Sequence, residues 1–117
     1  MNKVILVGHI GQDPEVRYIP SGTAVANFSL ATSEKWGGET STEWHKVVAW
    51  GKLAEIVGEY MKKGTLIAVD GRIQTNKWED SEGNKRETKE IVASQIKMYG
   101  KKGEKQGQKQ AEDDIPF

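Results

Sequence analysis

The chain has 117 residues, of which 36% are hydrophobic and 29% charged, with 17 basic and 17 acidic side chains. This length suits one compact domain, and we find neither an apolar run long enough to span a membrane nor a secretory leader. The absence of cysteine excludes disulfide scaffolds, thiolate metal sites and thiol nucleophiles. We therefore expect a soluble intracellular protein with no membrane association.

Short apolar segments separated by turn signals predict β-strands in the first half of the chain. Residues 3–10 are apolar on both alternating faces, which is typical of a strand covered on two sides, and a subunit interface is one candidate for the second cover. Residues 16–19 and 23–32 flank a Pro-Ser-Gly turn and predict two strands. Residues 33–43 are polar and contain glycine, so we interpret them as a loop that carries Trp36.

The next predicted strand, residues 44–50, separates its side chains cleanly because alternate residues face opposite sides. The small and medium side chains of His45, Val47 and Ala49 suit the core. The opposite face then presents two indoles and an ammonium group and consists of Trp44, Lys46, Val48 and Trp50.

The second half of the chain predicts one helix followed by a long two-stranded arm. Residues 52–63 carry apolar side chains at helical spacing, and Gly64 closes the segment. Residues 65–78 and 86–99 favour β-structure and are joined by a polar loop, residues 79–85. The resulting order of strand, strand, strand, helix, strand, strand predicts an all-β protein, a five-stranded OB-fold barrel with one helix between strands 3 and 4.

The composition changes near residue 100. We expect a folded domain over residues 1–99 and a flexible linker over residues 100–111, where no aliphatic side chain is larger than alanine. Residues 112–117 combine three acids with three apolar residues, which suits a partner-docking tip better than a merely solubilising acidic tail. The tip residues that would contact a partner are Asp113, Asp114, Ile115, Pro116 and Phe117.

The sequence offers no convergent catalytic constellation. Its two histidines, His9 and His45, stand far apart, and there is no HExxH motif and no phosphate-binding glycine loop. His45 lies on the predicted core face, where a packed or interface histidine is expected rather than a general base. We therefore predict that the protein is not an enzyme and uses no metal and no cofactor.

Aromatic and basic residues instead alternate in a way that suits the binding of unpaired bases. Such binding needs exposed aromatic faces for stacking and nearby cations for the phosphates. A set of buried core indoles is the alternative, but burial favours apolar neighbours, whereas these indoles stand beside lysines and in polar segments. The candidate single-stranded DNA-binding residues are Trp36, Trp44, Trp50, Trp78, Lys35, Lys46, Lys52, Arg72 and Lys77.

Several long segments, in order, resemble the bacterial single-stranded DNA-binding proteins: residues 2–18 (NKVILVGHIGQDPEVRY), 42–55 (TEWHKVVAWGKLAE), 75–78 (TNKW) and 113–117 (DDIPF). The resemblance implies an OB-fold homotetramer in the bacterial cytoplasm, associated with the nucleoid. It would bind and protect single-stranded DNA and recruit replication, recombination and repair proteins through the tip. It also implies base stacking on the four tryptophans and a subunit contact at His45.

The doubly apolar first strand predicts further subunit contacts at Val4, Leu6 and Val7. Two other functions stay open at this stage. An OB-fold that binds RNA would use the same stacking platforms, because every base has a π-face. An OB module whose main ligand is a protein would have lost its stacking residues, and the presence of all four tryptophans argues against it.

Overall fold

The computed structural model describes residues 1–101, with Lys101 described by its backbone alone. The predicted tip and all but the first two residues of the predicted linker lie outside the described residues. Within residues 1–101 no helix has the length and apolarity needed to cross a membrane. The elements in chain order are β1 (Val4–Ile10), β2 (Glu15–Tyr18), β3 (Ala24–Trp36), β4 (Glu39–Trp50), α1 (Lys52–Tyr60), β5 (Thr65–Glu79) and β6 (Lys85–Lys101).

The strands close into a barrel. The sheet runs in the order β1-β5-β6-β4-β3-β2, and pairing of β1 with β3 joins its ends. Both β1 and β2 lie antiparallel to β3, so they form one barrel strand interrupted between Ile10 and Glu15. Counted in this way the barrel has five strands, and α1 follows the third of them. The predicted OB-fold class is confirmed.

The barrel interior holds the main core. Alternate residues of β3 point inward, and Phe28 and Leu30 are buried among Val47 of β4 and Ile67 and Val69 of β5. The helix α1 closes this core with its own apolar stripe, because Ala54 and Val57 are fully buried. The core lies inside the closed barrel, so the outward sides of β3, β4, β5 and β6 are available for contacts with a ligand.

Two predictions about local structure are wrong. Residues 33–43 are not a loop, because β3 continues to Trp36 and β4 begins at Glu39, with Gly37 and Gly38 as a two-residue turn. Both glycines have positive φ, which this tight hairpin turn requires. The segment is polar because it projects beyond the barrel and has solvent on both faces, so it shows no apolar alternation.

The helix also ends earlier than its periodicity predicts. Its last residue is Tyr60, and Met61 has extended backbone angles, so Gly64 lies four residues after the end of the helix and does not close it. Met61 is nevertheless buried in the core. The last residue of the apolar stripe therefore reaches the core from the extended segment that follows the helix.

Candidate nucleic-acid interface

None of the four indoles is a core residue. The exposed fractions are 72% for Trp36, 63% for Trp44, 48% for Trp50 and 50% for Trp78. Large apolar side chains of this kind are normally withdrawn from water. Their exposure removes the alternative of a tryptophan-rich core and leaves four aromatic surfaces open to a ligand.

The strand register places three of the indoles on one side of the sheet. Directly paired residues point to the same side, and Val48 of β4 pairs with Val92 of β6, which pairs with Arg72 of β5. Trp44 and Trp50 share this side because they lie an even number of residues from Val48, and Trp78 shares it because it lies six residues after Arg72 without a bulge in β5.

We call this outward side the indole face and define it by its aromatic and basic residues. Its floor is apolar, because Val25, Val48 and Val92 form a second buried cluster outside the barrel, with the half-buried Ile19 packed against it. An extended polymer lying over this face would meet both aromatic ring surfaces and cations. On β4 and along the β5–β6 arm, the residues of the indole face are Trp44, Lys46, Trp50, Arg72, Trp78 and Arg86.

Trp36 does not belong to the indole face. It lies five residues after Ala31, which is the partner of Trp44, so its side chain points to the other side of β3. Its indole Nε1 donates a hydrogen bond to Glu34 at 3.2 Å, and its cross-strand partner is Glu39. A cavity of about 140 Å³ beside it is lined by Thr32, Glu34, Trp36, Ser41 and Glu43. The surroundings of this ring are therefore acidic.

A row of hydrogen-bonded side chains crosses the indole face between Arg72 and Trp78. Arg72 donates to Gln74 at 3.3 Å, Gln74 donates to Asn76 at 3.3 Å, and Asn76 donates to Glu90 at 2.7 Å. The row holds Arg72 in an extended position along β5. It also lines the face with amide groups, which donate and accept hydrogen bonds.

Trp78 is held at the end of the β5–β6 arm. Its indole Nε1 donates to the Thr88 hydroxyl at 3.0 Å, and Arg86 is its direct cross-strand partner. This arrangement leaves the ring half exposed while its edge is fixed. A cavity of about 740 Å³ lies at this position, lined by Lys77, Trp78, Glu79, Lys85, Arg86 and Glu87.

Asp80 organises the turn at the tip of this arm. Its carboxylate accepts hydrogen bonds from the backbone N–H groups of Glu82, at 3.0 Å, and Asn84, at 2.9 Å. The Arg86 Nε lies 3.1 Å from the same carboxylate. These hydrogen bonds hold the pKa of Asp80 below its ordinary value. The bond from the Asn84 backbone N–H contributes most, followed by those from the Arg86 side chain, the Glu82 backbone and the Asn84 side chain.

Sequence reasoning missed Arg86, which it assigned only to a predicted strand. Lys85 pairs with Glu79 and points away from Trp78. The signal that identifies Arg86 is the hairpin register, because counting back from the Asp80 to Asn84 turn places it opposite Trp78. Its Nε faces Asp80, so the two terminal nitrogens of its guanidinium group remain as donors for another anion.

The other predicted cations divide between the two sides of the sheet. Lys35 pairs with Thr40 and shares the side of Trp44, whereas Lys77 pairs with Glu87 and points away from Trp78. Lys52 is exposed at the first position of α1, two residues after Trp50. The structure therefore brings Lys46 and Arg72 together with the indoles and sets Lys77 apart from its neighbour in sequence.

The predicted subunit-contact residues differ in exposure. Val4 and Leu6 are half-buried and pack against the main core, while Val7 is 37% exposed. His45 lies on the core side of β4, as predicted, where its Nε2 and the Thr32 hydroxyl are 2.9 Å apart. The exposed apolar residues of β1 are thus Ile5 and Val7.

Metal chemistry has no evident centre in the part of the chain that the structure describes. Residues 1–101 contain no group of three or more His, Asp or Glu side chains placed to hold a metal ion. The exposed aromatic and basic side chains of the indole face are the most distinctive chemistry of the surface.

Comparison with known proteins bears on this surface. Residues 1–99 match the model of the single-strand binding protein family. The chain is 49% identical over 112 residues to a single-stranded DNA-binding protein of Neisseria meningitidis serogroup A, and equally to one of serogroup B. Each alignment covers 92% of this chain and 64% of the relative. The chain therefore spans less than two thirds of the length of these relatives.

Proposed function

Because the chain belongs to the single-strand binding protein family, we propose that it binds and protects single-stranded DNA without strong sequence preference, by stacking bases and contacting phosphates. The observation that supports this most directly is the placement of Trp44, Trp50 and Trp78 on one outward face with basic residues between them. Base stacking on aromatic rings tolerates any sequence, because every base has a π-face.

Charge placement supports the same proposal despite the net charge of zero. The indole face carries Lys46, Arg72 and Arg86, with Glu90 hydrogen-bonded to Asn76, while the acids Glu34, Glu39 and Glu43 lie on the side of Trp36. A polyanion is bound through local cations, and each neutralised phosphate releases counterions. We therefore expect oligonucleotide affinity to fall as salt rises, although the whole chain carries no excess of positive charge.

The decisive experiment measures oligo-dT binding by quenching of tryptophan fluorescence and by anisotropy of a labelled oligonucleotide. Replacing Trp44 and Trp50 by alanine should weaken binding about tenfold or more for each, because stacking contributes about 1–3 kcal/mol per base. Tyr60→Ala is the matched control, since this exposed aromatic lies on α1 and not on the indole face. Unchanged affinity in a folded double variant would overturn the proposal.

A matched RNA oligonucleotide tests the choice of nucleic acid in the same experiment. Stacking alone does not distinguish the two polymers, since only a contact to the 2′-hydroxyl selects RNA. We expect tighter binding of the DNA oligonucleotide in direct competition. Tighter binding of the RNA oligonucleotide would replace DNA by RNA in the proposal and leave the role of the indole face in place.

We further propose that the protein assembles as a homotetramer through β1 and His45. Within residues 1–101, β1 pairs with β5 over Val4 to His9 and with β3 only at His9 and Ile10, which leaves one edge of its first half unpaired. Ile5 and Val7 are exposed beside this edge. An open strand edge with apolar side chains is a template for pairing with a second copy.

Light scattering at micromolar concentration tests the assembly. Val7→Lys should lower the mass, because it places a charge at the contact. Ile56→Lys is the matched control, since Ile56 is 38% exposed and Val7 is 37% exposed, but Ile56 lies on α1. A wild-type mass of one subunit would contradict the tetramer.

The recruitment of replication, recombination and repair proteins is proposed for residues Asp113, Asp114, Ile115, Pro116 and Phe117, which lie outside the described residues. Acids beside an apolar anchor suit a hydrophobic pocket with a basic rim. Ile115→Ala with Phe117→Ala should abolish capture of such partners and leave oligo-dT affinity nearly unchanged. Normal capture by this variant would show that charge alone recruits them. On this proposal the protein works in the bacterial cytoplasm on nucleoid DNA.

A further inference from the structure

Gly11 occupies a position where the backbone does not demand glycine. It follows β1, and its N–H donates a hydrogen bond to the Ser29 carbonyl at 2.8 Å, which continues the pairing of β1 with β3. Its φ lies outside the left-handed region, unlike those of Gly37, Gly38 and Gly51. An alanine would therefore adopt this backbone without conformational strain.

What makes glycine necessary at this position is the indole of Trp44. A Cβ at position 11 would overlap Trp44 Cζ3 and lie 3.0 Å from Cη2 and 3.4 Å from Cε3. The benzenoid edge of the ring thus lies directly against the Gly11 backbone. Trp44 still has 63% of its surface exposed, so this contact fixes one part of the ring and leaves the rest open.

The neighbouring positions show how the ring reaches so far. Trp44 pairs with Ala31 of β3, and the next outward residue on β3, Ser29, is the backbone partner of Gly11. Ala31 and Ser29 are both small, so the outward side of β3 presents no bulky side chain between β4 and the segment that joins β1 to β2. The small side chains of Ala31 and Ser29 leave this path open, and the edge of the Trp44 ring reaches Gly11.

We propose that Gly11 is a positioning residue for the binding of single-stranded DNA. Its backbone lies against the benzenoid edge of Trp44 and so fixes the position of the ring, whose exposed surface is then held ready to stack on a base. This inference rests on the proposed function, since it assigns Gly11 a role through Trp44.

Gly11→Ala in the full-length protein tests the role. The added methyl group must lift or rotate the indole, so oligo-dT affinity should fall about tenfold, which is within the range for loss of one stacked base. The indole N–H resonance of Trp44, identified by its disappearance in Trp44→Phe, should shift in the NMR spectrum of the DNA-free variant. A general loss of stability would not move this one resonance selectively.

Gly58→Ala is the matched control. A Cβ there would lie 2.5 Å from Val16 Cγ2, so the substitution creates a comparable packing conflict between α1 and β2, away from every indole. Its oligo-dT affinity should equal that of the wild type. An equal loss of affinity in Gly58→Ala and Gly11→Ala would attribute the effect to general disturbance of the fold and overturn the inference.

A double-variant cycle separates this inference from the proposed function. The phenyl ring of Trp44→Phe is shorter than an indole and leaves room for a methyl group, so adding Gly11→Ala to Trp44→Phe should change affinity by less than about twofold. If Trp44→Ala weakens binding but Gly11→Ala does not, the positioning role alone fails. If Trp44→Ala binds like the wild type, the proposed use of Trp44 and the role of Gly11 fail together.

Discussion

The β3–β4 and β5–β6 hairpin arms both extend beyond the barrel, and both carry an indole near the tip. The residues around the two indoles differ in charge. In the β3–β4 arm, Trp36 pairs with Glu39 and donates to Glu34. In the β5–β6 arm, Trp78 pairs with Arg86 and donates to a neutral hydroxyl. A phosphate near Trp36 meets acids, whereas a phosphate near Trp78 meets a guanidinium group. The exposed fraction of each ring therefore does not by itself decide which of the two indoles contributes more to binding.

The turns of the two arms differ as well. The β3–β4 turn consists of Gly37 and Gly38 and is held by backbone conformation, with positive φ at both residues. The β5–β6 turn is held by the Asp80 carboxylate, which also binds Arg86. One arm is therefore closed by residues without side chains and the other by a charged side chain that also orients a basic residue beside its indole.

The largest expected difference between the arms is in the loss of the two indoles. Trp78→Ala should weaken oligo-dT binding about tenfold or more, and Trp36→Ala by about threefold, because repulsion between phosphates and the surrounding acids offsets part of the stacking at Trp36. Fluorescence titration at fixed salt measures both. Equal losses would show that the acids around Trp36 have no influence on binding.

A smaller difference is expected from the charges opposite the two indoles. Arg86→Gln should weaken binding about fivefold at low salt and reduce the slope of log affinity against log salt by about 0.7, the value for one lost contact to single-stranded DNA. Glu39→Gln should tighten binding about twofold at low salt, and this gain should vanish at high salt because salt screens the repulsion. A titration series in salt distinguishes the two effects, and an unchanged slope in Arg86→Gln would exclude a phosphate contact by Arg86.

The smallest effect concerns the acid dependence of the β5–β6 turn. The pKa of Asp80 is lowered in the folded protein, so its anchoring of the turn is present above the ordinary value of 3.8 and is lost as the pH falls through the lowered folded-state pKa. Hydrogen exchange of the Glu82 and Asn84 amides should therefore accelerate at the acid end. Asp80→Asn should show no such step, and the Gly37–Gly38 turn provides the internal control. A step that persists in Asp80→Asn would assign it to another group.

Some features of the binding surface could be predicted from the local pattern. The period of two in residues 44–50 placed His45, Val47 and Ala49 on one side and the two indoles on the other, and the structure confirms that division. The pattern failed for residues 33–43, because an arm with solvent on both faces has no apolar alternation. It also gave no reason for the burial of Val48, which is covered by Val25 and Val92 from strands distant in sequence.

The sequence by itself determined the strand segments of the barrel, the single helix and the exposure of Trp44 and Trp50, because these depend on side-chain alternation within one segment. Only the tertiary structure decided that Trp36 faces acids, that Arg86 lies opposite Trp78 and that the edge of the Trp44 ring lies against Gly11. Each of these depends on the register between strands, or on a side chain reaching across a strand. Register in these arms is set by the turns that join the strands, and side-chain alternation within one segment does not contain it.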